Sequence, residues 1–508
     1  MEVLLELIRE HFLLLYCQIV LILSIFASIY ATKYIKKKLI LKITRLNHKG
    51  ITLSYIKNLE TEKQSTSKQI CKQMRKIGYM GKPENSLSDY IIGTPFLYEF
   101  ASLPNDLFNA IKPKFEFFPY PLSVPFRYEI NRHTVNLLKL LSNEGKAKMI
   151  ALESYYFKIY TKKLFLKHST YKDEGFYVVN NIFEFVSDTF MSTTCRVFLG
   201  QNLITDEKLL QSFVSIISHF SYLTDSVISI ISKARSLISR YRYLKCHTYI
   251  IESIDKEILR RSNSNKKLLS CPNGVIGIII KNREAYSLFD NKTIGAAFAF
   301  IVDLTISLNS SRLANLLMDI SLNKSVYNML ANEQIEIIKK HGFKIRETQI
   351  QNMVYLDAAL KESIRLTQRT VNERKVENDY TFSNGSIIPK GSVVKFDLFS
   401  HSRDKRIHGF DTHSFVPGRN LINKTQLSEV SLDSYTWSIG EHMCPAADYS
   451  IMQLKIAAAS FIRNFEISQV CNPSAEHKGY RMLDVISHVN TELNLKPHNI
   501  LEFNPNPT

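Results

Sequence analysis

Apolar residues along this chain recur mostly at i, i+3, i+4 and i+7, and only briefly in strict alternation. The spacing predicts helices over 181–198, 206–220, 247–261, 293–323, 325–340, 349–366 and 447–465. Short β-like stretches at 386–388 and 392–396 flank Pro389-Lys390-Gly391, a Pro/Gly turn that suits a hairpin. No tandem period and no low-complexity run appears from about residue 45 onward. The expectation is a mainly α body with small β-sheets. The stretch 293–323 would run roughly 46 Å as a helix. It is apolar on more than one face and interrupted by polar residues near its middle, so it is expected to cross the whole domain.

The N-terminal pattern is different in kind. Residues 12–32, FLLLYCQIVLILSIFASIYAT, contain no charge. As a helix they would be about 30 Å long, the thickness of a bilayer core. A cleaved signal peptide would want a positive leading segment, whereas this flank carries Glu2, Glu6 and Glu10 against Arg9. Lys33, Lys36, Lys37, Lys38, Lys42 and Arg45 follow the span, which orients that side to the cytosol. The expected organisation is a short lumenal N-terminus (1–11), a transmembrane anchor helix (12–32), a basic juxtamembrane linker (33–60) and one cytosolic catalytic domain (61–508).

Composition adds limits rather than a function. The 508 residues are 45% hydrophobic and 22% charged, which is ordinary globular material with room for a buried cofactor. Lys plus Arg exceed Asp plus Glu by 65 to 47, so the surface field favours an anionic leaflet or an acidic protein partner. No basic block interleaved with aromatics marks a nucleic-acid face, and no nucleic-acid partner is expected. The seven cysteines form no CxxC pair and no zinc spacing, which fits reduced thiols in the cytosol.

The candidate chemistry lies in WSIGEHMCPA, residues 437–446. An iron-binding thiolate needs a sulfur at fixed height, screened from water, with backbone N–H groups aimed at it. Gly440 permits a tight turn, Trp437 can shield the sulfur of Cys444, and Pro445 tolerates a helix start. The helix beginning near Ala446 points its positive end at the sulfur. From the decapeptide alone, a buried structural cysteine remains an equal alternative.

The stretch resembles the haem-binding signature of the cytochrome P450 monooxygenases, usually Phe-x-x-Gly-x-(Arg or His)-x-Cys-x-Gly, and its His and Pro variants resemble fungal members. Two further motifs follow in the order of that family. Lys361-Glu362-Ser363-Ile364-Arg365 resembles its Glu-x-x-Arg helix, and Phe415-Val416-Pro417-Gly418-Arg419 resembles the segment that supplies a second arginine. Glu362 and Arg365 share one helix face, where Arg419 can join them in a network bracing the cysteine loop. Residues 78–107 and 195–203 also resemble stretches of fungal secondary-metabolite enzymes of this family.

The resemblance implies the cytochrome P450 fold and a haem b (iron protoporphyrin IX) held by Cys444 as axial ligand, with Trp437, Gly440, His442, Pro445 and Ala446 around it. Arg374, Arg132 and His133 are the expected partners of the haem propionates. It further implies NADPH-cytochrome P450 reductase as electron donor, with cytochrome b5 as a second candidate. The lipid bilayer and a lipophilic small-molecule substrate complete the expected partners, and the location is the endoplasmic reticulum membrane. Pocket candidates are Phe117, Phe118, Phe298, Ile301 and Val371.

The sequence departs from the family in three places. Ala446 stands where a glycine is usual, adding one methyl group. The proline-rich hinge common after the anchor is absent, the first proline being Pro83. In the long helix, the small-Gly-x-acid-Thr kink above the iron is replaced by Asp303-Leu304-Thr305-Ile306-Ser307-Leu308-Asn309. The proton-relay candidates are therefore Asp303, Thr305, Ser307 and Asn309, in two alternative registers. The expected activity is oxidation of a lipophilic secondary metabolite, a terpenoid or indole-diterpenoid intermediate. The alternatives are a haem-thiolate isomerase or dehydratase without oxygen activation, and a non-catalytic membrane-anchored haem protein.

Overall fold

The computed structural model describes residues 54–56, 80–83, 89–110, 124–172, 174–223, 230–263, 274–368, 373–469, 480–481, 487–488 and 492–502. The span 12–32, most of the linker, and the pocket candidates Phe117, Phe118 and Val371 lie outside these residues. The helices that frame the molecule are α1 (Val124–Ser142), α2 (Lys146–His168), α3 (Ile182–Leu203), α4 (Glu207–Leu223) and α5 (Ile230–Ser262). They are followed by α6 (Asn291–Leu304), α7 (Ser310–Ser321), α8 (Lys324–His341), α9 (Val354–Thr367) and α10 (Ala447–Asn464).

Side-chain caps set several helix starts. Asn181 Oδ1 accepts from Glu184 N at 3.3 Å, Asp290 Oδ2 from Thr293 N at 3.0 Å, and Asn323 Oδ1 from Val326 N at 3.2 Å. Each satisfies an N–H that a helix start leaves orphaned, for about 1 kcal/mol. Two boundaries differ most from the periodicity, while the helices expected to end at 198 and 220 run on to Leu203 and Leu223. The helix expected at 247–261 begins at Ile230. The one expected at 349–366 breaks at Met353, whose ψ of 67° is not helical. There the Glu333 carboxylate of α8 accepts from Tyr355 N and, at 3.1 Å, from Leu356 N, capping a new start.

The small sheets lie around this helical frame. The largest has six strands, β1 (Ser54–Ile56), β2 (Met80–Pro83), β3 (Asp89–Ile92), β10 (Val393–Phe396), β7 (Glu373–Val376) and β4 (Phe108–Asn109), in that order. A second joins β11 (Phe465–Ser468), β14 (Leu493–Pro497), β6 (Tyr177–Val179) and β5 (Ser169–Tyr171), and two further pairs are β8 (Tyr380–Thr381) with β9 (Ile387–Ile388) and β12 (Tyr480–Arg481) with β13 (Ser487–His488). The expected hairpin around Pro389-Lys390-Gly391 does not form. The turn exists, with Ser392 N donating to Pro389 O at 3.2 Å, but it links two sheets. Ile387–Ile388 pairs with Tyr380–Thr381, while Gly391 N donates to Val376 O at 2.7 Å, so β7 captures the chain after the turn.

The long helix is present as one run, Asn291–Ser321. It meets the length and hydropathy of a membrane span, yet 78% of its most apolar window is buried, so it is a core helix. Its first half lies against α1 and α5, its second against α3 and α9. A Cβ on Gly295 would stand 3.2 Å from Ile251 Cα and O, so glycine lets α5 approach closely.

Two hydrophobic cores result. The main one joins the helices, with α10 buried along nearly its whole length. The other lies under the six-stranded sheet around Tyr90, Phe100, Phe108 and Phe396. Trp437 belongs to the first and Tyr435 to the second, so the cysteine loop sits on the seam.

Candidate active site

The loop is built from two 3-10 turns, Tyr435–Trp437 and Gly440–His442. Gly440 has φ +62° with nothing crowding its Cβ position, so glycine is favoured there by backbone conformation and not by space. Cys444 N donates to Trp437 O at 2.7 Å, closing the loop. The Trp437 ring is 2% exposed, and its Nε1 donates to Leu427 O at 2.7 Å. Cys444 is a free, half-buried thiol. Helix α10 begins three residues later with no side-chain cap, and Ala447 N donates to Cys444 O at 3.3 Å. The positive end of an 18-residue helix thus lies at the cysteine.

One cation near this sulfur was not expected from the motifs. The Arg312 guanidinium of α7 lies 4.9 Å over the Trp437 ring. Burial lowers its pKa, and the charge of Cys444 acts in the opposite direction. The only hint in the sequence is that Arg312 is the one basic residue of α7.

The residues expected to face carboxylates separate. Arg132 is 59% exposed and pairs with Glu129 at 2.5 Å, which turns it to solvent. His133, one residue on, is 3% exposed; its Nδ1 bonds Glu129 O at 3.0 Å. His133 Nε2 has no partner among the described residues. Arg374 on β7 is 1% exposed, donates from Nη1 to Phe100 O and lies 4.0 Å over the Phe100 ring. Burial lowers its pKa to about 10, opposed by Tyr435, and its Nη2 has no partner among the described residues. His442 Nε2 bonds Leu103 O at 3.3 Å. Arg374 and His442 therefore both abut the segment 100–103. Buried cationic groups with unused donors fit an anionic group brought in from outside the chain.

Behind the loop, Glu362 of α9 is fully buried. Arg365 grips both its oxygens at 2.8 Å, Arg419 Nε donates to Oε1 at 2.8 Å and Val416 N donates to Oε1 at 3.1 Å. Arg365 Nη1 continues to Ser402 O at 2.6 Å and Thr412 O at 2.7 Å, and Arg419 Nη1 to His408 O at 2.6 Å. Burial alone would raise the Glu362 carboxyl, but the two arginines outweigh it and hold its pKa below the usual value. The three motif residues are brought together as their spacing predicts.

In the long helix, Thr305–Asn309 forms a π turn between α6 and α7. The irregularity thus falls on the segment whose register the sequence leaves open. Asp303 is 2% exposed; Ser307 Oγ donates to its Oδ1 at 3.4 Å and Oδ2 has no partner among the described residues. Burial raises this carboxyl to about 7, the Ser307 bond acting against it. Thr305 is 8% exposed and Asn309 1%. Ile301 is buried, and Phe298 packs edge-on against Phe198 of α3 at 5.0 Å, within the core.

Residues 135–487 match the model of the family described as Cytochrome P450. The chain belongs to the cytochrome P450 family. Members are haem-thiolate monooxygenases, and their cofactor is a haem b held by a cysteine. The free thiol of Cys444 facing a helix start, with unused buried donors on Arg374 and His133, fits that group.

Among its relatives, "Probable cytochrome P450 313a1" of Drosophila melanogaster is 24% identical, over 66% of this chain and 69% of the relative. "Cytochrome P450 monooxygenase ptmU" of Penicillium ochrochloron is 29% identical, over 30% of this chain and 32% of the relative. "Pyrichalasin C-7 hydroxylase" of Pyricularia grisea is 28% identical, over 27% of this chain and 29% of the relative. The match to these two fungal proteins spans about a third of their length.

This P450 also carries a buried acid that its motifs do not announce. Glu153 of α2 is fully buried; it accepts from the Tyr449 hydroxyl at 2.8 Å and from Gln453 Nε2 at 3.1 Å. Burial raises its pKa from 4.5 to about 7, against the lowering effect of those two bonds. Stability contributed by a neutral buried acid is fully present below the unfolded value and is lost as pH rises through the folded one. Glu153→Gln should therefore flatten the loss of stability between about pH 4.5 and pH 7, by an amount on the order of 3 kcal/mol. Urea unfolding of both proteins across that range reads the difference.

Proposed function

We propose that this P450 is an NADPH-reductase-dependent monooxygenase of fungal secondary-metabolism type, oxidising a lipophilic intermediate, with a terpenoid or indole-diterpenoid as the substrate class. Cys444 would hold the haem iron through its sulfur. Arg374, His442 and His133 would hold the propionates, and Trp437, Gly440, Pro445 and Ala446 shape the loop. The anchor is the uncharged span 12–32, followed by its basic flank, which places the catalytic domain on the cytosolic face of the endoplasmic reticulum. The basic surface suits the reductase, cytochrome b5 and an anionic bilayer alike. The two fungal relatives support the class: one is named a monooxygenase, the other a hydroxylase.

The observation that carries the catalytic reading is the pairing of the thiol loop with a buried acid at a π turn. When bound, the haem supplies oxygen activation. What the chain must add is position, exclusion of water and protons. Asp303 retains its proton to about neutral pH, and its bare Oδ2 is the donor atom, with Ser307 steering the carboxyl through Oδ1. Thr305 and Asn309 open and close the π turn that follows Asp303.

The test is co-expression with a reductase, addition of terpenoid candidates and incubation with NADPH under ¹⁸O₂. One labelled oxygen in the product is the expected result. Product formed without label or without oxygen would instead favour an isomerase or dehydratase. Asp303→Asn should slow product formation by roughly 10²-fold with an unaltered carbon monoxide spectrum. An unaltered rate would remove Asp303 from the relay.

A further inference from the structure

A π turn is an uncommon structure. One extra residue enters an α-helix, and the groups around it lose their regular i→i−4 partners. At Thr305–Asn309, serine side chains add bonds to the helix: Ser310 Oγ donates to Ile306 O, which also accepts from Ser310 N, and Ser311 Oγ donates to Ser307 O at 2.9 Å. These contacts are local to the helix. A second set comes from elsewhere in the fold.

Asn309, the last residue of the turn, donates from Nδ2 to Gln453 Oε1 at 2.9 Å. Gln453 is fully buried on α10, and its Nε2 donates to Glu153 Oε1 of α2 at 3.1 Å. The same Nε2 lies 3.2 Å from the Tyr449 hydroxyl, which itself donates to Glu153 Oε1, and 3.5 Å from Thr194 Oγ1 of α3. Both ends of the Gln453 amide are thus used in one orientation: oxygen toward the π turn, nitrogen toward the acid. Tyr449 and Gln453 stand at i and i+4 on α10, on the same face of the helix that starts at the cysteine loop.

We infer that Gln453 is a positioning residue that locks the π turn of the long helix to α10, the helix that follows the cysteine loop. One inserted residue shifts the phase of an α-helix by about 100°. With the turn in place, α6 lies against α1 and α5, and α7 against α3 and α9. If the turn relaxed to regular helix, one of the two halves would be rotated out of its packing. The amide clamp fixes that choice, and Glu153 and Tyr449 fix the amide. The clamp fills the position role that a glycine kink has in the usual motif. The consequence for protons rests on the monooxygenase reading, whereas the clamp itself does not.

The experiment uses the full-length, haem-loaded protein. Gln453→Leu removes both bonds with little change of volume, and Asn309→Ala removes the helix side of the clamp with less disturbance to the core. Amide hydrogen exchange is followed over 303–312, with the α9 segment around Glu362 as internal reference. Both variants should exchange at least about tenfold faster across the π turn, with the reference unchanged. In the same preparations, the share of NADPH electrons released as hydrogen peroxide should rise. Unchanged exchange at the π turn in both single variants overturns the clamp. Faster exchange with an unchanged peroxide share overturns its link to oxygen chemistry. The exchange measurement needs no turnover, so it stands apart from a failure of the ¹⁸O₂ test.

Discussion

Glu362→Ala is expected to cost on the order of 3 to 5 kcal/mol and to leave little folded, haem-loaded protein. The carboxylate is fully buried between Arg365 and Arg419, and removing it strands two guanidinium groups that the chain holds in place through the carbonyls of Ser402, Thr412 and His408. Breaking a buried ion pair from one side costs far more than the pair is worth intact, because an uncompensated charge remains inside. The effect has a pH signature. The pKa of Glu362 is held below its ordinary value of 4.5, so its contribution is full above that value and fades as pH falls through the folded one. Wild type and variant should therefore converge under acid. A urea series at several pH values reads this, and a gap that stayed constant into acid would contradict the network.

Cys444→Ala is expected to behave in the opposite way, sparing the fold and losing the cofactor chemistry. The loop is closed by the backbone of Cys444 to Trp437 O and buttressed by Trp437 Nε1 on Leu427 O, neither of which needs the sulfur. Urea stability of the variant should fall within about 1 kcal/mol of wild type. Haem retention should drop and NADPH-dependent oxidation should vanish, because no other described thiol lies in the loop and the axial electron donor is gone. A variant that kept both haem and turnover would show that Cys444 is a structural cysteine.

The contrast between these two variants tracks what could be read in the sequence. The loop WSIGEHMCPA, the pair Glu362 and Arg365, and the segment of Arg419 are legible because each is a short motif whose own geometry is local. Helices α8, capped by Asn323, and α10, buried along nearly its whole length, end within a residue or two of the expected bounds. What was not legible depends on partners distant in sequence. Helix α2 places Glu153 and Thr161 on its buried face, so its apolar stripe is broken and periodicity does not mark it. The turn at Pro389 looks like a hairpin until β7, far from it in pairing, captures one arm. Arg132 and His133 are adjacent and interchangeable on paper, yet helix rotation sends one to solvent and the other inward. The register of Asp303 and Thr305 could not be read because the helix itself changes pitch there, and what holds that pitch is Gln453, 144 residues away from Asn309.

The central claim is that Cys444 presents a thiolate to a haem iron. Carbon monoxide difference spectroscopy on the reduced full-length protein tests it most directly. The expected result is the strongly red-shifted Soret band of thiolate ligation, present in wild type and absent in Cys444→Ala. A haem-loaded wild type whose reduced carbon monoxide complex showed only the unshifted band of a neutral ligand would contradict it.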